Sequence, residues 1–263
     1  MKKFSLIIPA YKQEKTIKKD IQNILAVLSQ TGMDFEIIPV IDGFVDSSLK
    51  EASMINDKRV RPVGYKTNHG KGYAVRFGFA QAKGDVIGFM DAGGELSPRA
   101  LVPMLAQFEF QGADVVIGSK RHPNSRVIYP MYRRIISWVY QQIIRLLFGI
   151  NVSDTQVGMK IYTRKLLEDV LPRLLVKRFA FDIEILTVAH HLGYRKMYEA
   201  PIELNFIQVL STMSFPKLFH VSFNVLKDTL AVFYRLYFLH YYDNTNKRKW
   251  RYDPELNFRV NIG

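Results

Sequence analysis

An α/β fold, with a mostly parallel sheet covered by helices on both faces, is what this sequence predicts. Two observations carry that expectation. Short apolar runs alternate with segments of helical spacing through the first half of the chain, and several of those runs stop at a proline or a single aspartate. The third observation is size: 263 residues, 48% hydrophobic and 23% charged, suffice for one sizeable core with a small appendage.

FSLIIPAY (4–11) reads as the first strand. EKTIKKDIQNILAVLSQ (14–30) follows as a helix, because Ile17, Ile21, Ile24, Leu25 and Leu28 recur at helical spacing. FEIIPVIDG (35–43) is the second strand and SLKEASMIND (48–57) a weak second helix. RVRPVGY (59–65), KGYAVRFGFAQAKG (71–84) and DVIGFMD (85–91) read as strand, helix and strand. LSPRALVPMLAQFEFQG (96–112) is a helix begun by Ser97-Pro98, where the missing N–H of proline costs little. ADVVIGSKR (113–121) is the fifth strand. Functional loops of such sheets lie at the carboxyl ends of the strands, and Tyr11, Asp42, Asp91 and Ser119–Arg121 all fall there.

The second half changes character. YPMYRRIISWVYQQIIRLLFG (129–149) is helical, with Arg134, Ser137, Gln141 and Arg145 as one polar stripe and Ile135, Trp138, Val139, Ile143 and Leu146 largely elsewhere. PKLFHVSFNVLKDTLAVFYRLYFLHYY (216–242) repeats the pattern through Lys217, His220, Asn224, Lys227, Asp228 and Arg235. Charges at 227, 228 and 235 weigh against a transmembrane span, so helices lying in a membrane interface are expected, with ordinary core or dimer helices as the alternative. The boundary is placed at 210/211, with an interfacial helix at about 130–148 in the first part and a basic-aromatic tail in the second. The net charge is +13, and residues 119–148 hold six Lys and Arg but no acid, a block that seeks phosphate or stays a solvated basic face. Basic residues on apolar helices suit lipid better than nucleic acid, so no nucleic-acid partner is expected. Cysteine is absent, which removes disulfides and thiolate metal sites and fits a reducing compartment. Met1-Lys2-Lys3 runs straight into FSLIIPA, so no signal peptide is expected.

Taken in order, FSLIIPAY, VIDGFVD, NHGKGYAVRFG, FMDAGGEL, IGSKR, DTQVGMK and FAFDIEIL resemble the family-2, GT-A glycosyltransferases, and among them the polyprenyl- and dolichyl-phosphate sugar synthases. The resemblance covers about residues 4–205 and implies a GT-A catalytic domain over 1–210. It implies a donor site for a UDP- or GDP-linked sugar built from Pro9, Tyr11, Glu14, Asp42, Asn68, Gly70, Lys71, Arg76 and Asp91. Asp42 would accept an N–H of the base and Tyr11 would wall it, while Lys71 and Arg76 would face the diphosphate near a helix start. Lys12-Gln13 stands where the family usually has Asn-Glu.

The family's Asp-x-Asp, with Gln two residues on, appears here as Asp91, Gly93 and Glu95. Asp91 with Glu95 is the expected pair for Mg²⁺ or Mn²⁺, since such ions use one or two carboxylates plus phosphates and water. The competing reading leaves neutralisation of the leaving diphosphate to basic residues alone. Lys120, Arg121, Arg133 and Ser137 match positions for an acceptor phosphate, and Arg133 and Ser137 are four apart on one helical face. Asp154, followed by Gly158 and Lys160, and Asp182 with Glu184, resemble segments beside the sugar. His122, His190 and His191 lack metal-like partners at workable spacing and read as structural, and His69 as packing.

The resemblance thus implies inverting transfer of a hexose from a nucleotide sugar to a polyprenyl phosphate by a peripheral protein on the cytoplasmic face of a membrane, with no membrane span. It would act alone, as a homo-oligomer or with a small membrane partner. Transfer to a saccharide or lipid hydroxyl, with Asp182 or Asp154 as base, is the second reading; a nucleotide-sugar-binding scaffold without turnover is the third. The motifs lean towards glucose on uridine diphosphate, with mannose on guanosine diphosphate left open.

Overall fold

Alternation along β1 (Phe4–Ala10) decides how the molecule is layered. Phe4, Leu6 and Ile8 point to one side of the sheet, where Ile17, Ile21, Ile24 and Leu28 of α1 (Ile17–Ser29) meet them. Ile7 points to the other side, against Ala74, Val75 and Phe79 of α3 (Lys71–Gln81). A period of two in the strand and about 3.6 in the helices therefore builds two buried layers around one sheet. Each fully buried Ile or Leu stabilises the fold by about 1.5–3 kcal/mol.

This is a computed structural model, and it describes residues 2–127, 131–176, 180–204, 215–243, 250–254, 256 and 258–261. After β1 and α1 come β2 (Phe35–Asp42), α2 (Ser48–Ser53), β3 (Val63–Tyr65), α3 and β4 (Val86–Met90). Pro98–Ala100 form a 3₁₀ turn that leads into α4 (Leu101–Gln111), and β5 (Val115–Ser119) precedes α5 (Met131–Phe148). The chain continues with β6 (Met159–Thr163), α6 (Arg164–Val170), α7 (Phe181–His191), β7 (Met197–Pro201) and α8 (Phe215–Tyr237). A small hairpin of β8 (Trp250–Asp253) and β9 (Phe258–Asn261) follows. The predicted elements are present with trimmed ends. The third strand shrinks most, to 63–65.

The large sheet has seven strands in the order β3-β2-β1-β4-β6-β5-β7. All its pairs are parallel except those of β6, which runs antiparallel to both β4 and β5. The strand order turns back between β1 and β4, and a crevice at such a point is where ligands settle in open α/β sheets. Tyr11, Asp42 and Asp91 stand around it, each at or just past the end of its strand.

Neither β6 nor β7 was expected. The Met159–Thr163 run carries a lysine at its second position, and β7 is half-buried at the sheet edge, so neither carries a clean apolar signature. Val225, Val232 and Leu236 of α8 share one core cluster with Ile144 and Phe148 of α5 and with α3 and α7. The expected 210/211 boundary and the side chains of Lys217 and His220 lie outside the described residues.

Candidate active site

Asp42 is 3% exposed and its carboxylate is already engaged. Oδ2 accepts from Asn68 Nδ2 (2.8 Å) and Gly70 N (2.9 Å), and Oδ1 from His69 N (2.7 Å). Three N–H groups on one carboxylate clamp loop 68–70 to the end of β2 and set Gly70 as the residue before α3. Asp42, Asn68 and Gly70 thus shape the loop at the end of β2. His69 packs between Tyr65 and Tyr73, with ring centroids 5.4 and 4.6 Å away.

Pro9 is the next-to-last residue of β1, and Tyr11 stands 42% exposed beyond the strand with Lys12 Nζ 5.3 Å from its ring. Glu14 is drawn into the neighbouring loop: its Oε2 accepts from Ser47 N (3.0 Å) and its N–H donates to Asp46 (3.2 Å).

Beneath the crevice runs a chain of charges that joins four elements. Lys71, the first residue of α3, puts Nζ 2.9 Å from Asp91 Oδ1 and 3.0 Å from Oδ2 at the end of β4. The same Nζ lies 2.9 Å from Asp182 Oδ2 in α7. The other oxygen of Asp182 binds Lys160 Nζ of β6, which also donates to Val157 O at 2.7 Å. Lys160 is fully buried and the Asp182 side chain 4% exposed, whereas that of Asp91 is 42% exposed. Burial alone would raise the Asp182 carboxyl, but Lys160 and Lys71 together hold it below the usual carboxylate range. Asp91 goes the other way, raised by loss of water against the pull of Lys71.

Glycine shapes the Asp91 loop twice. Asp91 N donates to Gly158 O at 2.8 Å, and a Cβ on Gly158 would fall 1.8 Å from Asp91 Oδ2. Gly93 sits at φ +108°, a conformation that an aspartate adopts only with strain. Its N–H is held by Asp20 Oδ2 at 3.0 Å, a half-buried residue of α1 that sequence reading missed. Glu95 is exposed, and its carboxyl is raised by partial loss of water and by the charge of Asp91. Among the described residues no group of three or more metal-type side chains exists. Two neighbouring carboxylates still fit a hard divalent cation that takes its remaining ligands from a diphosphate and water.

Arg76 does not join this group. It is 6% exposed and inside the protein, where burial lowers its guanidinium and the charges of Glu184 and Asp253 oppose that shift. Its electrostatic neighbours are thus Glu184 and Asp253, away from the Lys71–Asp91 pair. Glu184 is fully buried, accepting from Val176 N (2.9 Å), Leu175 N (3.1 Å) and Tyr242 OH (2.7 Å). It ties α7 to the turn after α6 and to the segment after α8.

Across the crevice lies a second basic cluster. Arg121 donates to Ser137 Oγ at 3.1 Å, joining the end of β5 to α5. Lys120 reaches Asp154 at 3.6 Å, and Asp154 is 4% exposed with a further bond from Gln156 N. Glu199 of β7, unread in the sequence, anchors Ser153 Oγ (2.7 Å) and Asp154 N (3.1 Å). A cavity of about 610 Å³ opens here, with Lys120, Arg121, His122 and Arg134 facing Met131, Ile135 and Trp138. The backbone of Arg133 lies in α5, but its side chain is outside the described residues.

The orientation of α5 differs from the expected stripe. Gln141 is buried, bonding Val152 O at 2.7 Å, and Ser137 is half-buried. Met131, Ile135, Trp138, Val139 and Leu146 are exposed, at 45% or more, beside exposed Arg134 and Arg145. Leu230, Tyr234, Tyr237 and Phe238 of α8 and the turn after it are likewise exposed. No helix among the described residues is long and apolar enough to cross a membrane.

Comparison with known proteins gives three results. Residues 5–171 match the family described as glycosyl transferase family 2. A dolichyl-phosphate beta-glucosyltransferase of Drosophila melanogaster is 30% identical over 209 residues, 72% of this chain and 63% of that protein. An undecaprenyl-phosphate 4-deoxy-4-formamido-L-arabinose transferase of Pectobacterium carotovorum is 31% identical over 176 residues, 65% of this chain and 52% of that one. The chain thus spans less than two thirds of the length of both relatives. Among solved structures, glucosyl-3-phosphoglycerate synthase from Mycobacterium tuberculosis in complex with Mn²⁺, UDP and phosphoglyceric acid superposes with a TM-score of 0.66. That match is 20% identical and covers 88% of this chain and 78% of the other, a likeness of fold.

Proposed function

Because the chain belongs to glycosyl transferase family 2, we propose that it moves one hexose from a nucleoside-diphosphate sugar to a polyprenyl monophosphate at a membrane surface. The observation that carries this reading is the state of the two acids that a hydroxyl acceptor would need. Asp182 is locked between two lysines and Asp154 is buried against Lys120, so neither is poised to take a proton. A phosphate acceptor needs no such base, because it is already anionic near neutral pH. The catalytic task is then placement and charge neutralisation.

In this reading the donor diphosphate lies at the start of α3, beside Lys71 and Asp91, where unpaired helix N–H groups favour anions. Asp91 and Glu95 would hold a divalent cation, with Mn²⁺ the first to try and Mg²⁺ the second, and that ion would supply positive charge to the leaving diphosphate. Arg121, Lys120, Arg133 and Ser137 orient the acceptor phosphate for in-line attack, and Arg134 and His122 line the same cavity. Ile135, Trp138 and Met131 continue that cavity into the outward apolar face of α5, which suits an acceptor with an anionic head and a greasy tail. UDP-glucose is the favoured donor and GDP-mannose the alternative.

The test is product formation with either donor, dolichyl or undecaprenyl phosphate, and Mn²⁺. Arg121→Ala should lower kcat/KM for the lipid phosphate by roughly 10–100-fold and leave nucleotide affinity unchanged, as loss of one charge-assisted hydrogen bond predicts. Nucleotide binding without product under all these conditions would favour the scaffold reading instead. Membrane contact is tested separately by sedimentation with anionic vesicles. Trp138→Glu with Leu146→Glu should reduce partitioning by more than about tenfold, since each loses burial worth about 1.5–3 kcal/mol. Unchanged partitioning would move the contact surface away from α5.

A further inference from the structure

The charge chain has a consequence for how a cation enters. Lys71 Nζ stands within 2.9 and 3.0 Å of the two oxygens of Asp91, so the one carboxylate at the head of the metal loop is covered by an ammonium group. Gly93 supplies no second carboxylate, and Glu95 is exposed. The four charges Asp91, Lys71, Asp182 and Lys160 sum to zero, which leaves exposed Glu95 as the one uncompensated carboxylate of that loop to attract a free dication. Asp182 does not depend on Asp91, because fully buried Lys160 holds its other oxygen. Lys71 is thus anchored on one side by Asp182, and its flexible stem can turn on the other side from Asp91 to an arriving phosphate.

Resting on the donor site proposed above, we propose that Lys71 is a latch on Asp91, released by the donor diphosphate, so that the divalent cation is taken up with the nucleotide and not before it. Asp182 and Lys160 are its positioning residues. When the diphosphate draws Lys71 away, Asp91 is left as an exposed carboxylate beside Glu95, and the phosphate oxygens complete the ligand set.

The experiment measures Mn²⁺ binding by electron paramagnetic resonance of the free ion, with no nucleotide present. Wild type should bind weakly. Lys71→Met should tighten Mn²⁺ by on the order of tenfold, because one adjacent positive charge is gone. Adding Asp91→Asn to that variant should abolish the gain and so localise it. Lys71→Gln, which keeps a hydrogen bond to Asp182, repeats the test should the first variant melt early. Equal or weaker Mn²⁺ binding in both Lys71 variants overturns the latch. A separate titration of wild type with UDP and GDP tests the donor site: absence of nucleotide binding sinks that reading whatever the Mn²⁺ result, and the two failures stay distinguishable.

Discussion

Asp182→Asn should destabilise the protein by about 3–5 kcal/mol, as breaking a buried ion pair from one side does. The side chain is 4% exposed and holds Lys160, which is fully buried and whose ammonium group, among the described residues, otherwise bonds only the Val157 carbonyl. Without the carboxylate, two ammonium groups face each other in a dry site, and Lys160 must lose its proton or the surroundings must open. Lys160→Met should cost far less, because Asp182 keeps Lys71 at 2.9 Å. Urea unfolding of the two variants side by side checks the ranking, and an equal loss in both would refute it.

The same group makes an acid-dependent contribution. The Asp182 carboxyl in the folded state lies below its ordinary 3.8, so its share of stability is complete above that value and is lost as pH falls through the folded one. Asp91, whose carboxyl is raised, contributes with the opposite sign. The stability difference between wild type and Asp182→Asn should therefore shrink as pH falls below about 4, where Asp182 takes up its proton.

Gly158→Ala should lower transfer activity by about 100-fold, while the fold loses only about 1–3 kcal/mol from overpacking. The added Cβ would fall 1.8 Å from Asp91 Oδ2 and 2.3 Å from its Cγ. The two main chains are joined there by the 2.8 Å bond from Asp91 N to Gly158 O, so the carboxylate and not the backbone must move. On the proposed donor site, a shift of about 1 Å in a group that positions a diphosphate is enough for a loss of that size. Initial rates with saturating acceptor measure it, and calorimetry of nucleotide with Mn²⁺ should show the same loss of affinity. Combined with Asp91→Asn, the substitution should add little, because both disable one carboxylate. Full additivity would place the effect elsewhere.

Much of this site was legible because it lies where strands end. Asp42 and Asp91 close largely apolar strands, and Lys71 follows a loop of Asn, His and Gly that only a tight approach requires. What these residues touch was less legible. Lys71 and Arg76 are five positions apart in one helix, which turns them about 140° from each other and sets helix geometry against placing both on one diphosphate. That conflict was readable from spacing alone. The locked state of Asp182 was not, since its partners lie 22 and 111 residues away in sequence. Nor was Lys160 as part of a strand, because a lysine interrupts the apolar pattern by which central strands are recognised. The outward turn of the apolar face of α5 runs against the usual rule that the greasy stripe of a surface helix faces the core.

The reversed strand β6 has one more implication. It is hydrogen-bonded along both sides, to β4 and to β5, and it enters the sheet directly after Asp154 and Gly158. The half of the sheet that ends at Asp91 and the half that ends at Arg121 are thus sewn together by a later piece of the chain. Neither half is a module that can be cut out and grafted, since removing either strips β6 of a neighbour. On the function proposed above, exchanging one lipid acceptor for another would proceed by altering side chains along α5, with the stitched floor left in place.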